Sequence, residues 1–248
     1  MVPINEISFL SWHSGDVRGT VPFAVNSGFD IKYHLCKAAI LGIERLRDAY
    51  PGCRIVLVEP LISIHGNEDA DWSHINIINE HQFQAMDIIA GRMCPELGGK
   101  ENNLDILGFN YYWNSQWEDG TGTLPWPEQI PRRTRVSTML RDAHNRYGRP
   151  LFLSETGHFG DGRAEWIEEV ANECCVAIEQ GIPLLGVCIY PVTDRPDWDD
   201  LSSYSDCGIY DLDECNNRLP HIDSINAIKA AQLLIAASLL QKQDVGVL

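Results

Sequence analysis

Basic charge is scarce in this chain. Its 248 residues carry 19 Lys and Arg against 35 Asp and Glu, a net charge of −16. Such a field repels phosphate backbones and anionic lipid, so neither nucleic acid nor a membrane is an expected partner, and the substrate is expected to be neutral. Uninterrupted apolar runs are short as well. None reaches the about 18 residues of a membrane span, and Ala230 to Leu240 is broken by Gln232 and Ser238 and reads as a C-terminal amphipathic helix. No Gly-x-Gly-x-x-Gly and no Gly-x-x-x-x-Gly-Lys-Ser/Thr opens a helix, which argues against a nucleotide-binding sheet. The histidines (13, 34, 65, 74, 81, 144, 158 and 221) lack ligand spacing, so no metal and no cofactor is expected. Asp194, Asp197, Asp199 and Asp200 read as a solvated loop, with a cation site as the alternative. The eight cysteines show no paired Cys-x-x-Cys pattern, and Met1 to Glu6 has neither the basic nor the apolar region of a signal peptide. Reduced, mostly buried thiols in a cytoplasmic protein are the expectation.

What remains is ordinary globular composition, 44% hydrophobic and 22% charged, with no low-complexity linker. Residues 1–248 read as one domain. Four short apolar runs predict buried strands: Arg54-Ile-Val-Leu-Val-Glu59, Asp105-Ile-Leu-Gly-Phe-Asn110, Pro150-Leu-Phe-Leu-Ser-Glu155 and Leu184-Leu-Gly-Val-Cys-Ile-Tyr190. Between and around them, Ile31 to Tyr50, His74 to Arg92, Thr134 to Tyr147, Ala164 to Gln180 and Asp223 to Gln241 predict helices, with Pro51-Gly52, Gly148 and Gly181 as stop signals. Strand and helix alternation predicts an α/β fold with right-handed crossovers. Each strand ends on polar or aromatic residues: Glu59, Asn110-Tyr111-Tyr112, Glu155 and Tyr190. That placement suits the mouth of a (β/α)8 TIM barrel.

Glu155 closes an apolar strand and precedes Thr156-Gly157, the position of a carboxylate at a barrel mouth or of a structural ion pair. Asn5-Glu6 follows another short strand-like start and precedes an aromatic, Gly-containing stretch, Ser8 to Gly15, that reads as a loop. Retaining glycoside hydrolysis needs two carboxyl groups about 5–5.5 Å apart, one a nucleophile and one an acid/base. Glu6 and Glu155 are the candidates. Glu59 ends a strand too, where it either lines the pocket or pairs with a loop Arg. Tyr111, Tyr112, Trp113, Trp117 and Trp126, with Trp12 and Trp198, divide between sugar stacking and loop-core packing, while Trp72 and Trp166 read as structural.

These segments resemble clan A glycoside hydrolases, family 1 β-glucosidases in particular. Pro3-Ile4-Asn5-Glu6 is similar to the family's strand-four Asn-Glu motif, which implies Glu6 as acid/base and Asn5 as a sugar 2-hydroxyl ligand. Leu104-Asp-Ile-Leu-Gly-Phe-Asn-Tyr-Tyr112 resembles strand six, implying that Tyr112 hydrogen-bonds the nucleophile. Pro150 to Gly157 resembles strand seven, implying Glu155 as that nucleophile. Gly186-Val-Cys-Ile-Tyr-Pro191 with Asp197-Trp198 resembles strand eight and its acidic-Trp sugar pair. The substrate-binding set is then Asn5, Asn110, Tyr112, Trp113, Tyr190, Asp197 and Trp198, on a carbohydrate substrate. Ile7 stands where the family has Pro, Thr156 where it has Asn, Tyr190 where it has Trp and Asp197 where it has Glu, so the sugar is not fixed as glucose.

A barrel typically takes about 250 residues, yet expected strands end only near residues 6, 59, 110, 155 and 190. The resemblance labels these strands four to eight. The expectation is therefore an incomplete barrel of five C-terminal βα units, without the first three, or copies that associate through open edges. A degenerate or truncated carbohydrate-binding fragment is the alternative to a glycosidase. An unrelated barrel enzyme using Glu59 and Glu155 on a phosphorylated substrate is a third reading, opposed by the acidic charge and the missing phosphate loop.

Overall fold

The four apolar runs form parallel-sheet strands, and each observed boundary lies within two residues of the expected one. The computed structural model describes residues 1–197 and 200–245. They divide into two units. The first comprises Met1–Asn110, Ser115–Leu124 and Arg149–Phe152; the second comprises Tyr111–Asn114, Pro125–Gly148 and the chain from Leu153 onward.

The first unit begins with helix α1 (Ile7–Gly15) and α2 (Gly28–Ala49). Strand β1 (Val56–Pro60) follows, then β2 (Ser63–His65), α3 (Trp72–Glu80) and α4 (Gln84–Ile89). Next come β3 (Ile106–Asn110), β4 (Gln116–Glu118) and β5 (Gly122–Thr123). β1 and β3 pair in parallel, Val56 opposite Ile106 and Pro60 opposite Asn110. All five residues of β3 are buried, as expected of a strand covered on both faces. Among the described residues, the other side of β1 carries a single parallel bridge, Asn5 to Val58, and a hydrogen bond from the Val56 amide to the Met1 carbonyl. The expected strand before Glu6 is therefore reduced to one residue. A second small sheet pairs β2 with β4 in parallel and β4 with β5 antiparallel.

Two helical expectations need correction. Ser8 to Gly15 is not a loop but the body of α1. Its buried face is Ile7, Ser11, Ser14 and Gly15, while Trp12 is exposed, so hydrophobic periodicity gives no sign of a helix. Two of its hydroxyls are satisfied within the helix: Ser11 Oγ donates to the Ser8 carbonyl at 3.0 Å and Ser14 Oγ to that of Leu10 at 2.6 Å. The expected His74 to Arg92 helix is split by a 3-10 turn at His81–Phe83. Its first half starts earlier, because Asp71 caps the amides of Ser73 and His74. α2 does behave as its sequence predicts, burying Cys36, Ala39, Ile40 and Ile43 along one stripe.

The second unit holds α5 (Val136–Tyr147), strand β6 (Leu151–Thr156) from Leu153 onward, α6 (Arg163–Glu179) and β7 (Leu184–Ile189). Two short hairpins follow, β8 (Arg195–Pro196) with β9 (Tyr204–Ser205) and β10 (Tyr210–Leu212) with β11 (Arg218–Pro220), then α7 (Ile222–Val245). β7 neighbours β6, and its Leu185 is 54% exposed. Buried Glu173 on α6 fixes the start of α5: its carboxylate accepts from Arg135 and from the amide and hydroxyl of Ser137.

α7 packs along α6 and buries the small residues Ser224, Ala227 and Ser238, while Leu233 is 75% and Leu240 63% exposed. Its segment Ile222–Gln241 is long and apolar enough to cross a membrane by length and composition, and 17% of that segment is buried. It passes on mean hydropathy, with Asp223, Asn226, Lys229, Gln232 and Ser238 dividing it into short apolar runs.

All eight cysteines are free. Burial pushes the thiols of Cys36 and Cys174 up to about 12, whereas Cys188 and Cys215 are exposed. Maleimide labelling of the native protein at pH 8 is expected to modify Cys188 and Cys215 first, with Cys36 and Cys174 reacting only after unfolding. Peptide mapping of a labelling time course checks this order.

Candidate active site

The geometry around Glu155 starts from the main chain. At the end of β6 the Glu155 carbonyl accepts the Tyr111 amide at 2.9 Å, and the next carbonyl, of Thr156, accepts the Tyr190 amide at 3.0 Å. Residues on both sides of the strand thus hold consecutive positions. From there the Tyr112 hydroxyl donates to Glu155 Oε2 at 2.6 Å, within the range of a charge-assisted bond. The expected Tyr112–carboxylate pair is therefore present in the second unit.

Below this pair lies an aromatic layer. Thr156 is fully buried and its hydroxyl accepts the Trp166 indole N–H at 2.9 Å. Tyr111 stacks on Trp166 with ring centroids 5.5 Å apart, Trp126 meets the same indole edge-on at 5.1 Å, and Arg133 donates to the Tyr111 hydroxyl. Tyr111 and Trp126 are thus core residues, and Trp166 is structural. Gly157 lets the chain pass: a Cβ there would overlap the Tyr190 carbonyl oxygen. Trp113 lies against His158 and Phe159, with centroids 5.7 and 6.1 Å away. Burial lowers the His158 pKa, which keeps the ring neutral at physiological pH, and its Nδ1 lies 2.8 Å from the Phe159 carbonyl. The core role of Thr156 and the contacts of Arg133 and His158 escaped sequence reasoning.

The other expected sugar ligands are dispersed. Tyr190 is 39% exposed at the end of β7. Asp197 Oδ2 accepts from the Ser205 hydroxyl at 2.9 Å, and its amide donates to the Ser203 carbonyl, which ties it to the β8–β9 hairpin. Trp198 lies outside the described residues.

Asn5, Glu6 and Asn110 belong to the first unit. Asn110 is buried, 1% exposed, at the end of β3. Glu6 is the N-cap residue of α1, with φ 51° and ψ 58°, a left-handed conformation unusual for a residue with a side chain. Its amide donates to the Val58 carbonyl at 2.9 Å. Glu59 follows Val58 on β1. It does not pair with a loop arginine. It is 2% exposed and accepts the Ser8 amide at 3.0 Å, beneath the first turn of α1. Burial pushes its carboxyl up to about 7, although the Ser8 hydroxyl and amide, the Lys32 charge and the Ile7 amide all pull the other way. Lys32 itself is buried, donates to Gln84 Oε1 at 2.9 Å, and has its pKa lowered by desolvation. Among the described residues no group of three or more His, Cys, Asp or Glu side chains could hold a metal.

A carboxyl whose folded pKa is about 7 and whose ordinary value is 4.5 links stability to pH. Below pH 4.5 it is protonated in both folded and unfolded chains and burial costs little. Between pH 4.5 and 7 the unfolded chain releases this proton while the folded chain keeps it, and about 3 kcal/mol is lost by the time the buried carboxyl ionises. Glu59→Gln carries no such titration. Urea unfolding is expected to show the variant gaining about 3 kcal/mol on wild type between pH 4 and pH 8; a difference independent of pH contradicts the buried, titrating carboxyl.

No protein-family model and no curated protein matches the chain. Among solved structures, its fold is similar to a family 1 β-glucosidase from Thermotoga maritima, with a TM-score of 0.75 at 15% identity over 93% of this chain and 63% of that one. It is likewise similar to the Thermotoga maritima family 1 glycoside hydrolase complexed with a cyclophellitol analogue transition-state mimic, at TM-score 0.75, 14% identity and coverage of 94% and 63%. A Thermotoga maritima β-glucosidase in complex with castanospermine gives 0.72 and 14%, over 96% of this chain and 63% of that chain. The likeness establishes an α/β fold of the kind these glycosidases have, and the chain spans less than two thirds of their length.

Proposed function

We propose that the chain is a β-glucosidase-like retaining β-glycosidase, with Glu155 as nucleophile and Glu6 as acid/base. The observation that carries the reading is the 2.6 Å bond from Tyr112 to Glu155, at the end of a parallel strand in a fold similar to β-glucosidases. The left-handed backbone at Glu6 supports the second role, because strain at a residue with a side chain concentrates at functional sites. In this reading residues 1–248 supply the five C-terminal βα units of one (β/α)8 barrel domain in a reducing, cytoplasmic compartment, and the open sheet edges are covered by the remaining units or by association with a second copy.

The chemistry follows from the two carboxyl groups. Glu155 carboxylate attacks the anomeric carbon while Glu6, as the acid, protonates the departing glycosidic oxygen, leaving a glycosyl ester on Glu155. Glu6, now a carboxylate, takes a proton from water as that water attacks the same carbon, which frees Glu155 and gives the β-configured sugar. The Tyr112 hydroxyl fixes the orientation of the nucleophile. Asn5, Asn110, Trp113, Tyr190, Asp197 and Trp198 are assigned to the sugar hydroxyls and faces. No cofactor or metal takes part.

Azide separates the two roles. Glu155→Ala is expected to lose turnover of an aryl β-glycoside by at least about a thousandfold. Azide then restores it by direct displacement, giving the α-glycosyl azide. In Glu6→Ala, azide instead attacks the glycosyl ester and gives the β-glycosyl azide. Product NMR reads the configuration, and unchanged turnover in Glu155→Ala overturns the assignment.

The 63% coverage of the similar structures favours one second reading, a carbohydrate-binding fragment that needs a partner or self-association to act. Calorimetric sugar binding without hydrolysis over days supports that reading over a working glycosidase.

A further inference from the structure

α1 is attached to β1 at two neighbouring points. The Glu6 amide donates to the Val58 carbonyl at 2.9 Å, and the Ser8 amide donates to Glu59 Oε2 at 3.0 Å. The left-handed turn at Glu6 lies in this span, and the Leu10 amide closes back on the Glu6 carbonyl at 2.8 Å. Such a turn is strained for a residue with a side chain, so the surrounding structure must impose it. Helices ordinarily satisfy their first amides with the side chain of the N-cap residue. Glu6 occupies that position yet makes no side-chain cap bond; the acceptor comes from Glu59, 51 residues away in sequence. The positive end of α1 and the Glu59 carboxyl are complementary.

We propose that Glu59 is a positioning residue for Glu6: by capping α1 from β1 it holds the first turn of the helix in place behind the left-handed Glu6 and thereby sets where the Glu6 carboxyl leaves the chain. The proposal rests on the reading of Glu6 as the acid/base. Other charged and titratable groups facing Glu59 are Lys32 and Cys36, both on α2, and β3 has none between Ile106 and Asn110. Lys32 directs its ammonium to Gln84, which leaves the α1 amides as the hydrogen-bonding partners of Glu59.

Acceptor position and charge separate in two variants. Glu59→Gln keeps an oxygen in reach of the Ser8 amide and loses the charge. Glu59→Asn also loses the charge and withdraws the oxygen by one methylene. With carboxyl-13C glutamate, the Glu6 resonance is assigned by its disappearance in Glu6→Gln. Positioning predicts that this resonance and its titration midpoint stay near native in Glu59→Gln and shift in Glu59→Asn. The Ser8 amide of Glu59→Asn then exchanges with solvent at least tenfold faster, and turnover falls for alkyl glycosides, which need the acid, while 2,4-dinitrophenyl glycosides are spared. Should Glu59→Asn not fold, Glu59→Asp withdraws the oxygen with the charge retained and is read in the same way. Equal shifts in the Gln variant and in the shortened one overturn the proposal in favour of charge alone, and no shift in either overturns it outright. Full alkyl-glycoside turnover by Glu6→Gln overturns the acid/base reading instead, with the Glu59 dependence of the Glu6 resonance measured independently.

Discussion

Two consecutive carbonyls at the end of β6 organise the second unit. Glu155 and Thr156 accept amides from Tyr111 and Tyr190, so β6 is gripped from both sides where its polar residues begin. Everything near the candidate nucleophile depends on that grip. Tyr112 follows Tyr111 directly, which places its hydroxyl against Glu155, and Thr156 points the other way into the Trp166 layer. Alternation along a strand thus divides one dipeptide between chemistry and core. A threonine suits that core role, since its buried hydroxyl satisfies the indole with a small side chain.

The first unit solves a different problem. Glu6 begins a helix from a left-handed residue, and the strand beneath supplies the bonds that make this stable. Val58 provides a main-chain carbonyl and Glu59 a carboxyl, neighbouring groups of β1 that meet the amides of Glu6 and Ser8. The helix could not be capped more simply by Glu6 itself without committing that carboxyl to Ser8. Burying Glu59 to do so raises its pKa to about 7, a destabilising arrangement of the kind that local stability alone does not favour.

Much of the fold was legible because β-branched runs and helical periodicity report burial directly. β1, β3, β6 and β7 stand where those runs predict, as does the core stripe of α2. Legibility failed where burial does not follow hydrophobicity. α1 buries serines that bond to their own helix, and α7 buries Ser224 and Ala227 while Leu233 faces outward. The hairpins after β7 have strands of two or three residues, too short to carry a period. At the site, the Glu155–Tyr112 pair was legible through a motif that holds both strand ends. The partner of Glu59 was not, since a cap donated across 51 residues leaves no local trace.

The most direct measurement is intact-mass spectrometry after incubation with a panel of 2-deoxy-2-fluoro-β-glycosides, followed by peptide mapping. The fluorine slows breakdown of the glycosyl ester, so a nucleophilic carboxylate stays labelled. The account predicts one adduct per chain, on the peptide containing Glu155 and absent in Glu155→Gln. A stable adduct on any other carboxylate, or none from a folded protein that hydrolyses the parent glycosides, contradicts it.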